Sequence, residues 1–132
     1  MKKLFLDIET LPADEKTQKV LQKIHQQKLD KAERGGYKYQ KTFEEYLEST
    51  QLDGTFGRIL CLCYGVNDEP VQTLIGDEKK ILQDFWLVAK DADLFIGLNI
   101  MEFDLRFIYQ RSIINGVRPS RDLSFAKYRN DP

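Results

Sequence analysis

The sequence predicts an α/β fold built on a mixed sheet, and three observations lead there. An apolar strand-forming run opens the chain at Lys3-Leu4-Phe5-Leu6 and is interrupted by Asp7 and Glu9. Two β-rich runs at 58–66 and 70–75 are separated by Asn67-Asp68-Glu69, the chemistry of a hairpin turn. Two amphipathic helical patterns then follow, with a short apolar run at 93–98 between them. A strictly alternating doubly wound arrangement fits less well, because the two β-rich runs succeed one another directly.

Taken in order, the first strand is expected at about 3–9. Residues 14–34 are rich in Lys, Gln and Glu, with Val20, Leu21, Ile24 and Leu29 at roughly helical spacing, and Gly35-Gly36 ends the pattern. A second helical piece fits 42–49, where Phe43, Tyr46 and Leu47 form an apolar face. The two make a charged helical insertion at about 14–50. After the hairpin, 78–90 places Ile81, Leu82, Phe85, Trp86 and Ala89 on one helical face, with Asp77 available as N-cap. The run at 93–98 reads as a buried strand, and a last helix is expected from about Met101 to Ile114, stopped by Asn115-Gly116.

The 132 residues, 42% hydrophobic and 31% charged, suffice for one compact domain, 1–132, and hardly for two. A net charge of −1 excludes a polycation or an acidic disordered tail. Yet residues 105–132 hold six basic side chains against two acidic ones, so a polyanion is drawn to the C-terminal end. The longest stretch without charge, 59–67, is far below the roughly 20 residues of a membrane-spanning helix. The apolar run after Met1-Lys2-Lys3 is too short for a signal peptide, so a cytoplasmic location and no membrane partner are expected. Cys61 and Cys63 alternate on one strand face, without disulfide-framework or four-ligand zinc spacing, and read as reduced packing residues.

Asp7 and Glu9, two apart on a strand, project from one face about 6.6 Å apart along the backbone. That geometry suits hard cations such as Mg2+ or Mn2+, which take oxygen ligands and keep several waters. Asp104 falls in the first turn of the last helix, just after the strand that ends at Asn99. If the first and fourth strands are adjacent and parallel, Asp7, Glu9 and Asp104 meet at one sheet edge. Taken alone, a carboxylate pair at a strand end is also an ordinary solvated feature, and Asp104 an ordinary helix-dipole charge.

Phe5-Leu6-Asp7-Ile8-Glu9-Thr10 resembles the first exonuclease motif of the DEDD proofreading superfamily, and Asn99-Ile100-Met101-Glu102-Phe103-Asp104 resembles the second. The likeness covers most of the chain and is strongest to bacterial 3′-to-5′ exonucleases similar to the exonuclease domain of family B DNA polymerases. It implies an RNase H-like fold, incomplete at the C-terminus, and a hydrolase that removes terminal nucleotides from DNA or RNA using two divalent ions, Mg2+ or Mn2+. On this resemblance Asp7 bridges both ions, Glu9 binds the ion carrying the attacking water, and Asp104 ligates the other, on the leaving-group side. Thr10, Asn99 and Phe103 become substrate contacts, with Phe103 stacking near a terminal base. Helical projection overlaps Arg111 with Asp104, which makes Arg111 the expected phosphate contact. The implied partner is a single-stranded 3′ end, DNA before RNA, although charge does not choose between them.

The chain departs from the family at its third motif, a Tyr-x-x-x-Asp or His-x-x-x-x-Asp that supplies a fourth carboxylate and the water-orienting group. Tyr128-Arg129-Asn130-Asp131 has one residue too few, and His25, the single histidine, lies in the polar helix where solvation is expected. A general base contributes about 10²–10⁴ in rate, so a fragment cut before the third motif is expected to have little or no activity alone. Two rivals remain: a non-catalytic RNase H-like module that binds nucleic acid or a partner through the insertion, and a metal-dependent endonuclease on the same fold.

Overall fold

The computed structural model describes residues 1–123, so Tyr128 and Asp131, weighed above for the third motif, lie outside the described residues. In chain order the elements are β1 (Lys3–Leu11), α1 (Gln18–Gly35), α2 (Phe43–Ser49), β2 (Arg58–Val66), β3 (Gln72–Ile75), α3 (Glu78–Ala89), β4 (Leu94–Ile96) and α4 (Asp104–Ile114). Short 3-10 turns precede α1 and follow α2. The chain forms two compact units, one of Met1–Glu9 with the chain from Ile59 onward, the other Thr10–Arg58. Each is described by itself.

The sheet is mixed and four-stranded among the described residues, in the order β3-β2-β1-β4. β1 and β4 are parallel neighbours, with Leu4 opposite Phe95 and Phe5 opposite Ile96. β2 and β3 form the antiparallel hairpin, with Leu62 opposite Leu74. Asn67 turns that hairpin in the left-handed region at φ 50°, which asparagine tolerates better than most residues. Its side-chain oxygen also accepts the Lys3 N–H at 2.9 Å.

Alternation along β1 sorts the two faces. Leu4, Leu6 and Ile8 are buried, whereas Phe5, Asp7 and Glu9 are exposed. The buried face joins Ile59 and Leu62 from β2, the Ile81, Leu82, Phe85, Trp86 and Ala89 stripe of α3, and Leu105, Phe107 and Ile108 of α4 in one core. Between the two helices the Trp86 indole N–H donates to the Ser112 hydroxyl at 2.9 Å, which donates in turn to Ile108 O at 2.7 Å. The core stripe of α3 is the one its sequence spacing predicts, and Asp77 caps the helix by accepting from Lys80 N–H at 3.1 Å.

The other unit has its own small core of Ala13, Leu21 and Tyr46, with Ile24, Phe43, Leu47 and Phe56 packed against it. α1 ends where its glycines predict, with Gly36 at φ 71°. His25 differs from expectation. It is buried, its Nε2 lies 2.9 Å from Lys41 O, and its ring sits among Tyr39, Phe43 and Tyr46. No described helix is long and apolar enough to cross a membrane.

Candidate metal centre

The three carboxylates predicted from sequence are delivered by two elements of the sheet unit. β1 runs on past the end of β4, so beyond Phe5 its edge is no longer matched by β4 partners. Asp104 takes up part of that edge: its carboxylate accepts the Ile8 N–H at 2.9 Å. The contact sets Asp104 beside the backbone between Asp7 and Glu9, whose side chains leave β1 on the open face.

The approach needs a tight turn. A Cβ on Gly97 would lie 2.7 Å from Leu6 O and would collide with the Ile100 side chain, so only glycine lets this segment pass so close to β1. Asn99 adopts φ 56°, and its carbonyl accepts Phe103 N–H at 3.0 Å. The turn delays α4, which begins at Asp104 and not at Met101 as its pattern suggests. Asp104 is therefore the first residue of the helix, where the helix dipole favours a negative charge.

Burial opposes that charge. Asp104 is 4% exposed, and burial raises its carboxyl above the ordinary value, against the Ile8 hydrogen bond that lowers it; the negative charges of Asp7 and Glu9 raise it further. The upward shift is first the mark of a carboxyl withdrawn from water, with the neighbouring like charges adding to it. The donors are carboxylate oxygens, which is the chemistry hard divalent cations select. The three are within electrostatic reach, yet among the described residues no group of three or more His, Cys, Asp or Glu side chains is drawn tightly enough to hold one ion.

Beside Asp7 the open face is apolar. Phe5, Cys63, Val71 and Ile96 line a shallow hollow of about 260 Å³ there. Cys61 and Cys63 lie on this face, half-buried and free, and burial pushes the Cys61 thiol up, with Cys63 and Glu9 adding to it.

The expected substrate contacts are placed less uniformly. Asn99 is exposed in the turn, and Phe103 is half-buried against Phe107 with ring centroids 5.5 Å apart, so it serves the core. Thr10 belongs to the Thr10–Arg58 unit, and its hydroxyl donates to Gln51 O at 2.6 Å. Arg111 corrects the sequence reading. It is 9% exposed, and its guanidinium grips Glu78, Nε lying 3.1 Å from both carboxylate oxygens and Nη2 2.7 Å from Oε1. Glu78 also accepts from Ile59 N–H at 2.6 Å and Asn115 Nδ2 at 2.9 Å. The partner comes from another helix, 33 residues earlier, which no helical projection of α4 reveals. Glu78 is the residue the sequence reading missed; its one signal was an acidic side chain directly after the Asp77 cap.

No protein-family model and no curated protein matches the chain. Among solved structures it is similar to the family B DNA polymerase from the hyperthermophilic archaeon Pyrobaculum calidifontis, with a TM-score of 0.53 and 16% identity. The match covers 89% of this chain and 11% of that polymerase. At this identity the likeness is one of fold: an α/β fold with a mixed four-stranded sheet, similar to a small part of a family B polymerase.

Proposed function

We propose that this chain carries a metal-dependent 3′-to-5′ exonuclease domain of RNase H-like fold, acting on single-stranded ends of DNA. The observation that carries the reading is the seating of Asp104 against the Ile8 N–H between Asp7 and Glu9. It joins a residue of the first motif to one of the second, 96 positions apart along the chain.

Asp7 and Glu9 would hold Mg2+ or Mn2+ from the open face and Asp104 from the sheet edge. When bound, such ions lower the pKa of a coordinated water and neutralise charge building on the phosphoryl oxygens. The chain's own contribution is positional. The rigid strand fixes Asp7 and Glu9, the glycine-dependent turn fixes Asp104, and the crowding of carboxylates leaves a charge deficit that a cation relieves. The apolar hollow lined by Phe5 and Ile96 keeps one side of the site poor in competing polar groups. Arg111 has no part in phosphate binding on this reading, because Glu78 holds it.

The assay is single-turnover, with the chain in excess over a 5′-labelled single-stranded oligonucleotide. The reading expects shortening in one-nucleotide steps from the 3′ end, dependent on Mn2+ or Mg2+ and lost in Asp7→Asn. Cleavage that survives chelation or Asp7→Asn contradicts it, and opening of a circular single strand assigns an endonuclease instead.

A further inference from the structure

The open face of the sheet is more apolar than a face turned to water needs to be. Phe5 is 42% exposed, and Val71 and Ile75 are each 70% exposed, where the outward positions of a sheet are ordinarily polar. Ile96 is the β4 neighbour of Phe5, and with Cys63 and Val71 the two line the hollow of about 260 Å³ beside Asp7.

Bare backbone also lines this hollow, at Gly65 and Gly97. The turn requires Gly97, whose Cβ would lie 2.7 Å from Leu6 O. Gly65 is different: a Cβ there would meet nothing nearer than Val71 Cγ2 at 3.8 Å, an ordinary contact. A glycine inside a strand weakens it, and often marks a place where another group comes close to the backbone. No neighbour within the sheet unit makes that approach to Gly65, so the approach belongs to a bound group.

The chemistry of the hollow narrows what that group is. Its volume lies below the roughly 300–1,000 Å³ of a drug-sized pocket and suits one ring system. The exposed ring of Phe5 offers a stacking surface, and Asp7 is the one charged side chain on the rim. Phe5 and Asp7 are two residues apart on one face of β1, about 6.6 Å along the strand, the reach from a nucleotide's phosphate to its own base. A second copy laid face to face would instead set its own Asp7 and Glu9 against these carboxylates, where like charges repel.

We propose that the hollow seats the base of the terminal nucleotide, stacked on Phe5, with the phosphate of that nucleotide on the Asp7 side. The proposal rests on the exonuclease reading and adds a specificity to it. Stacking on an apolar floor takes any base without reading its edge, so the site is indifferent to sequence and selects against an end that has lost its base.

The test reads binding and not cleavage. Cys63 is a free, half-buried thiol in the lining, and Cys61, outside the lining, is the internal reference. The full chain in Mg2+ is alkylated with iodoacetamide, and each thiol is followed by peptide mass in the presence of a thymidine tetranucleotide or the same strand ending in an abasic sugar. The intact strand is expected to protect Cys63 at a concentration at least about fivefold lower than the abasic-ended strand. Phe5→Ala, which removes the ring, and Gly65→Val, which fills the floor, should each abolish that difference while keeping the far-UV dichroism; one folded variant suffices. Equal protection by the two strands, protection by neither, or a difference that a folded variant retains overturns the seat. Mn2+ uptake by the same chain separates the two readings. Uptake without a base preference overturns the seat and leaves the exonuclease reading standing, whereas a base preference without uptake supports the seat and removes the catalysis.

Discussion

α4 holds a buried ionisable side chain near each end, and the two are treated oppositely. Near its C-terminal end the Arg111 guanidinium is fully answered: Glu78 takes three of its contacts and collects Ile59 N–H and Asn115 besides. At its N-terminal end the Asp104 carboxylate is favoured by the Ile8 N–H and its own backbone N–H, yet burial first, and the charges of Asp7 and Glu9 after it, hold its carboxyl above the ordinary value. A buried charge with its partner in place is structural, and removing the partner is what costs stability. A buried carboxyl set against like charges is a liability to the fold, kept where something absent from the isolated chain answers it. One helix thus shows a solved electrostatic problem and an open one.

The largest effect should come from breaking the solved end. Glu78→Ala removes the carboxylate that Arg111, the Ile59 N–H and Asn115 share, and should lower stability by about 3–5 kcal/mol, read as a fall in urea midpoint without a change in slope. A loss under about 1 kcal/mol would mean the guanidinium finds water instead. Next is the turn that brings the open end to β1. Gly97→Ala forces a methyl against Leu6 O and Ile100, and should cost about 1–3 kcal/mol while weakening cation binding, because Asp104 is displaced.

The smallest effect has the opposite sign. Asp104→Asn keeps an oxygen for the Ile8 N–H and removes the charge, so it should stabilise the chain at neutral pH. Because the folded-state pKa of Asp104 lies above the ordinary 3.8, its penalty is absent below that value. The penalty grows as pH rises from there through the folded-state value, and it is complete above it. The gain from Asp104→Asn should therefore appear in denaturant titrations at pH 7 and vanish near pH 3. A variant less stable at pH 7 would show that the carboxylate is compensated after all.

The sequence made one half of this contrast legible and hid the other. Period-two alternation in Leu4, Leu6 and Ile8 sends Asp7 and Glu9 to the opposite face, and the helical stripe from Ile81 to Ala89 faces the core, because each pattern is local and is fixed by backbone geometry alone. The parallel pairing of β1 with β4, assumed in order to bring Asp104 near Asp7, appears in the register. Arg111 was misread because its partner lies on α3, and a helical wheel contains no information about a second helix. His25 was misread for a related reason: the Lys41 carbonyl and the rings of Tyr39, Phe43 and Tyr46 reach it from a later segment. The late start of α4 follows from Gly97 and Asn99, whose turn geometry overrides a helical pattern that begins three residues earlier.

Manganese binding tests most directly whether Asp7, Glu9 and Asp104 act as one site. Free Mn2+ is followed by its electron paramagnetic resonance signal as the chain is added, at pH 7 and low ionic strength. Saturable uptake is predicted, weakened by at least about tenfold in each of Asp7→Asn and Asp104→Asn, and left intact by Lys90→Glu. Uptake that Asp104→Asn does not alter, or no uptake by the unmodified chain, would contradict the account.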